Sequence, residues 1–151
     1  MLKGISALLS PELLAALQAM GHGDDIAVVD ANFPAASLAR RLVRADGHPA
    51  TEMLRAILEL MPVDDLREDP VRVMAVTGDA AAKPPIVGEF ERIASEIDGR
   101  PLRAHPLQRE QFYAAARNAY VVVATGELRL YGNVLIAKGV VVPNERPKGT
   151  R

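Results

Sequence analysis

The sequence predicts an α/β fold: three layers, α/β/α, built on a central mixed, mostly parallel sheet. Three observations predict it. Short apolar runs without helical period, such as Ile26 to Val29, Val71 to Val76 and Tyr120 to Ala124, read as buried strands. They alternate with amphipathic stretches for most of the 151 residues, and that alternation lays helices over a sheet. The last β segments follow one another with no helix between them, which a wholly parallel sheet does not allow.

The elements follow in order. Ser10-Pro11 opens the first helix, Ser as N-cap and Pro in the first turn, where its missing N–H costs nothing. Leu13, Leu14, Leu17 and Met20 keep helical spacing, and Gly21 is the expected left-handed stop. Ile26 to Val29 is a strand, and Asn32-Phe33-Pro34 turns the chain. Ala35 to Arg41 is a short helix and Leu42-Val43 a brief strand before Ala45-Asp46-Gly47. Ala50 to Leu60 is helical, with Met53, Leu54, Ile57 and Leu58 inward. Val71 to Val76 is a strand and Gly78 to Pro85 a loop of small residues. Ile86 to Ile97 is helical until Gly99-Arg100-Pro101 breaks it. Leu102 to Ala104 is a strand, Gln108 to Ala119 a helix and Tyr120 to Ala124 a strand. Val134 to Ile136 and Val140 to Val142 are the final β segments, separated by Lys138-Gly139. Residues 1–143 are expected to form a single domain, and 144–151 a polar, basic tail that frays.

Composition excludes several function classes. The chain is 49% apolar and 25% charged, an ordinary globular mix with length enough for one real core. Net charge is −1, so no broad basic face offers itself to nucleic acid, and without Trp there is little platform for base stacking. There is no cysteine, hence no disulfide, no thiolate zinc site and no cysteine nucleophile. The apolar run after Lys3 is cut by Ser10-Pro11-Glu12, too early for a signal sequence. No segment approaches the ~18 apolar residues of a membrane span. The expectation is a soluble, cytoplasmic protein.

The polar residues at strand ends carry the chemistry. In α/β sheets ligands gather where strands give way to loops, and Asp30 stands at such an end. A carboxylate after a run of Val needs a partner; equally, it can cap its own turn. His22, between Gly21 and Gly23, is either an exposed loop residue or a proton carrier working near neutrality. Arg109, at the head of a helix, is a surface cation or a ligand for hydroxyls. Tyr131-Gly132-Asn133 is a turn with positive φ at Gly or Asn, or a phenol, an open backbone and an amide suited to sugar hydroxyls. His22, His48 and His105 are too scattered for a zinc spacing, and no phosphate-binding glycine motif or nucleophile elbow is present. A strand between His22 and Asp30 spans about 16 Å at ~3.3 Å per residue, so the two side chains cannot touch along it. Either Gly23-Asp24 folds back, or one pocket joins residues of two chains.

Short blocks in order along the chain carry a resemblance. They are Met1-Leu2-Lys3-Gly4-Ile5-Ser6, Ser10-Pro11-Glu12-Leu13-Leu14, Met20-Gly21-His22-Gly23-Asp24, Asp30-Ala31-Asn32-Phe33-Pro34, Arg44-Ala45-Asp46-Gly47, Phe112-Tyr113, Thr125-Gly126-Glu127, Tyr131-Gly132-Asn133 and Lys138-Gly139-Val140. Together they make the chain similar to the fucose mutarotase / ribose pyranase family. Arg109, Phe33, Gly132 and the Arg44-to-Gly47 block point to its fucose branch. Asn32 departs from that branch's usual His, and residues 62–108 match poorly. The resemblance implies an isomerase without cofactor or metal that interconverts the anomers of a free monosaccharide, L-fucose in this branch. It implies His22 as acid/base, and Asp30, Arg109, Tyr131, Gly132 and Asn133 as sugar-binding. It also implies a ring-shaped homo-oligomer with pockets at subunit boundaries; the charge balance and the lack of a long apolar run already predict no nucleic-acid and no membrane partner. D-ribose pyranase-type ring interconversion and a non-catalytic sugar-binding or regulatory module stand as alternatives.

Overall fold

A computed structural model describes residues 1–143; the tail expected at 144–151 lies outside the described residues. The elements are α1 (Pro11–Ala19), β1 (Asp25–Val29), α2 (Ala35–Leu38), β2 (Leu42–Ala45), α3 (Ala50–Leu58), β3 (Val71–Met74), α4 (Pro85–Asp98), β4 (His105–Leu107), α5 (Arg109–Asn118), β5 (Val121–Thr125) and β6 (Val134–Ala137). The strands form one sheet in the order β2-β5-β1-β6-β3-β4. Among the described residues only β6 runs antiparallel to its neighbours, β1 and β3; the other pairings are parallel. That is the mixed, mostly parallel sheet the sequence predicts.

Period-two alternation divides the sheet between two cores. Ile26, Val28, Val121, Val123, Val134 and Ile136 face Leu13, Leu54, Ile57 and Phe90 of α1, α3 and α4. Ala27, Val29, Val122 and Leu135 face α2 and α5 through Ala35, Phe112 and Ala116. Phe90 and Phe112 are wholly buried, each contributing about 1.5–3 kcal/mol relative to exposure. Helix ends follow the sequence cues. The Ser10 hydroxyl accepts the Leu13 N–H at 3.2 Å, a reciprocal Gln108–Gln111 box opens α5, and Gly99 closes α4 at φ 75°.

Four local expectations are corrected. Gly21 does not take the left-handed conformation; α1 ends on Met20, and the positive φ (84°) falls on Gly23 in the following turn. Helix α2 stops at Leu38, because Ala39 turns extended and leads into β2. The strand expected at Leu102 to Ala104 lies at His105–Leu107 instead. Both backbone groups of Leu102 are bound to the Ser95 hydroxyl, and the Ala104 N–H is bound to Glu91, so α4 side chains take them from the ladder. Val140 to Val142 form no strand. The neighbours of β6 end their pairing at Ala137 and Ile136, and the three valines are exposed beyond the sheet.

Candidate active site

Strands β1, β3 and β5 end at one edge of the sheet, and β6 begins there. Their loops, with the head of α5, enclose a cavity of about 240 Å³. Asp30 reaches it from the end of β1, Tyr131 and Asn133 from the approach to β6, and Arg109 from the first turn of α5. Four of the six candidate residues are therefore brought together. Asn32, Phe33, Met74, Thr77, Tyr113 and Leu130 complete the wall.

Asp30 is buried and held from several sides. Asn133 accepts the Asp30 backbone N–H on Oδ1 at 2.9 Å and donates Nδ2–H to Asp30 Oδ2 at 3.0 Å. Asp30 Oδ1 accepts the Asn32 N–H at 3.0 Å, so the carboxylate also caps its own turn. Burial pushes the Asp30 carboxyl above its ordinary value, against hydrogen bonds from Asn32 and Asn133 that act to lower it. Its cap role and its place in the cavity coexist.

Tyr131 sits at φ 61°, not the glycine or asparagine beside it. That strained backbone directs the ring to Thr77, whose N–H donates to the phenol oxygen at 3.1 Å and holds the phenol below its usual range. Gly132 does not line the cavity. It is buried where a Cβ would lie 2.7 Å from Glu127 Cγ, so it packs the loop that presents its neighbours. Arg109 Nε donates to the Tyr113 hydroxyl at 3.2 Å. Phe33 packs edge-on against Phe112 and Tyr113, with ring centroids 5.8 and 5.4 Å away. An aromatic wall thus faces a rim of carboxylate, amide, phenol and guanidinium.

His22 lies at the opposite edge, before β1 begins. The turn does not fold back. The Gly23 N–H binds the Lys138 carbonyl at 2.8 Å, and the Lys138 N–H binds the Asp24 carbonyl at 2.9 Å, which pins the turn to the far end of β6. The imidazole is 44% exposed, and its Nε2 lies 3.1 Å from Oδ1 of Asp64, whose side chain is 6% exposed. Within one chain, His22 stands apart from the Asp30 cavity, across the sheet from it.

Sequence reasoning missed Asp64, Thr77 and Met74. Asp64 sits in an irregular strap between α3 and β3, and Thr77 after β3, so neither carries a periodic or motif signal. Tyr113 was legible only through the Phe112-Tyr113 block. Among the described residues, no three His, Asp or Glu side chains cluster as a metal site, and no helix is long and apolar enough to cross a membrane.

Comparison with known proteins identifies the lineage. The RbsD / FucU transport protein family matches residues 3–141. The chain belongs to this family. It is 42% identical over 149 residues to a fucose mutarotase from Homo sapiens, covering 95% of this chain and 96% of that one. It superposes with a TM-score of 0.86 on the fucose mutarotase of Streptococcus pneumoniae, crystallised with L-fucose. That structure is 42% identical, and the match covers 93% of this chain and 100% of that one. Bacillus subtilis RbsD, crystallised with D-ribose, shares the fold at TM-score 0.70 and 23% identity, covering 94% and 100%. The family resemblance read from the sequence is thus borne out.

Proposed function

We propose that the chain is an isomerase, a mutarotase that interconverts the α and β anomers of a free monosaccharide, with L-fucose as the substrate. The observation that carries this is the convergence of Asp30, Arg109, Tyr131 and Asn133 on one cavity, in a chain 42% identical to a mutarotase crystallised with that sugar.

The chemistry asks for little more than positioned proton carriers. Opening the ring removes the proton from the anomeric hydroxyl, breaks the bond between C1 and the ring oxygen, and places a proton on that oxygen. Reclosure on the other face reverses each move, so protons balance and no redox partner is needed. An imidazole can take and return the first proton, which suits His22, and positioned transfer supplies roughly 10²- to 10⁴-fold in rate. Asp30 and Asn133 accept and donate to sugar hydroxyls, and Arg109 stabilises charge developing on the oxygen that loses its proton. The Phe33–Tyr113 wall supplies an apolar flank for the deoxy carbon.

A working site needs both His22 and the Asp30 cavity, so we assign its completion to a neighbouring copy. Each edge carries exposed aliphatic side chains: Leu66 (78%) in the strap that holds Asp64 and Val141 (68%) after Gly139, and Leu128 (82%) and Leu130 (70%) in the loop that carries Tyr131. Head-to-tail contact buries both patches and sets the His22 of one copy at the cavity of the next. Such a heterologous interface gives a ring where its rotation closes and a filament where it does not, and we assign the ring.

Saturation-transfer NMR of anomeric protons tests the function with L-fucose, D-ribose and other free sugars. The expected result is exchange of L-fucose well above the spontaneous rate, lost in His22→Ala. Binding without acceleration defeats the enzyme reading in favour of a sugar-binding module. Acceleration confined to D-ribose moves the activity to ring-size interconversion.

A further inference from the structure

We propose that a second cavity, beneath the loop between β3 and α4, binds a short-chain aliphatic monocarboxylate as an effector of the sugar reaction. The site stands on its own geometry; its effector role rests on the function proposed above.

The cavity measures about 200 Å³ and lies at the carboxyl ends of β3 and β4, which run parallel. Such strand ends are where α/β sheets take ligands. Val73, Val87, Ala104 and Pro106 make its walls apolar, and the loop adds Ala82. The polar side chains on its lining are Lys83 and Glu91.

Charge at this lining is out of balance. Glu91, in the second turn of α4, is buried. Its Oε1 accepts the Ala104 N–H at 2.9 Å. Its Oε2 is met by two cations, the Lys83 ammonium and, at 3.5 Å, the Arg103 guanidinium. Burial alone would raise the Glu91 carboxyl; Lys83, the Ala104 N–H and the Arg103 charge outweigh it and keep the group below the ordinary carboxylate range. Glu91 is therefore ionised at neutral pH. Among the described residues, neither cation pairs with another carboxylate. Two positive charges thus share one negative. Helix α4 adds to the excess: Pro84 and Val87 at its start line the cavity, and no side chain caps it, so the positive end of its dipole stays open. The Lys83 side chain is half-exposed, so it can turn from Glu91 to an incoming anion while Arg103 stays.

These features select the ligand. The excess charge asks for one carboxylate, and the apolar walls ask for a hydrocarbon chain behind it. At the ~30 Å³ that a water-sized group takes in a liquid, the space holds about six heavy atoms, the size of butyrate. A monosaccharide is larger, and its hydroxyls would be buried without partners. A dicarboxylate brings one charge too many.

The two cavities share a wall, because Met74 lines both. The loop over the second cavity also carries Thr77, whose N–H holds the Tyr131 phenol at 3.1 Å. A chain packed against Met74 and this loop fixes both, and the sugar meets a better-ordered site.

Titration of the full chain with sodium butyrate, followed by ¹H–¹⁵N NMR, tests the site. Saturable shifts at the amides of Lys83, Val87 and Ala104 are expected, with a Kd on the order of 1 mM for a ligand of this size. Sodium chloride offers the charge alone and n-butanol the chain alone; each should bind roughly tenfold more weakly. Lys83→Met keeps the stem and drops the charge, and Ala82→Leu fills the space from an exposed position. Each should weaken butyrate about tenfold. Shifts that do not saturate, or undiminished affinity in both variants, overturn the site. In sugar exchange, butyrate should lower the KM for L-fucose about fivefold in the parent and not in Ala82→Leu. An unchanged KM with the site filled overturns the effector role alone. A chain that exchanges no sugar overturns the proposed function, and the titration still decides the site.

Discussion

Asp30 and Asn133 bind each other twice: the amide oxygen accepts the backbone N–H of Asp30, and the amide nitrogen donates to its carboxylate. One contact fixes which way the Asn133 amide points; the other uses that orientation. The residues are 103 positions apart, so the pair also ties the end of β1 to the approach of β6.

Asp30→Asn is therefore more disruptive than its shape suggests. Both carboxylate oxygens accept, one from Asn32 and one from Asn133. An amide can serve only one of these donors. An unpaired buried donor costs roughly 1–3 kcal/mol, and relief of a desolvated charge offsets part of it. A net loss of about 1 kcal/mol, or ~2–4 °C in Tm, is expected in thermal melts, with sugar turnover falling further than stability. Unchanged turnover in a folded variant would leave Asp30 with only its turn to cap.

Acid should loosen the loop that carries Tyr131. Burial alone would raise the buried Glu127 carboxyl, but the Arg129 side chain, its N–H and its charge outweigh burial and keep it low. Arg129 Nε and Glu127 Oε1 are 3.0 Å apart. A carboxyl held low in the folded state contributes stability above its unfolded pKa of ~4.3, and that contribution is lost as pH falls through the folded value. Urea melts should show Glu127→Gln less stable than the parent at neutral pH. The gap should close below about pH 4. A gap independent of pH would mean that the ion pair is idle.

Gly139→Ala should act at a distance. Its Cβ meets the Val63 carbonyl oxygen at 2.7 Å and Asp64 Cα at 3.1 Å, both backbone atoms that cannot swing aside. Overpacking of this kind costs about 1–3 kcal/mol. The displaced strap carries Asp64 away from His22, so kcat should fall while the Asp30 cavity keeps its sugar affinity. An equal loss of both would point to general unfolding.

Mixing two dead variants should restore activity. His22→Ala keeps an intact cavity, and Asp30→Ala keeps an intact imidazole. After joint refolding, head-to-tail assembly makes about a quarter of the sites whole, since each draws one half from each neighbour. No recovery in the exchange assay, with mixed oligomers verified by mass spectrometry, would place the full site within one chain.

The layer architecture and most strands were legible because apolar runs and helical stripes reflect burial directly. The register of β4 was not, since it depends on Ser95 and Glu91 drawing the backbone of Leu102 and Ala104 off the sheet. Val140 to Val142 read as a strand by propensity, yet a strand needs neighbours and the sheet had run out. Asp30, Tyr131 and Asn133 were visible as polar residues at apolar run ends. Asp64 was not: its importance is a tertiary contact across 42 residues, and its strap has no period to read.

The five residues of β1 act as a ruler. Their extended length sets how far His22 stands from the Asp30–Asn133 pair, at ~3.3 Å for each step. Lengthening the strand by two residues would keep every side chain on its proper face and still shift one end by about 6.6 Å. Folding would tolerate that edit far better than turnover.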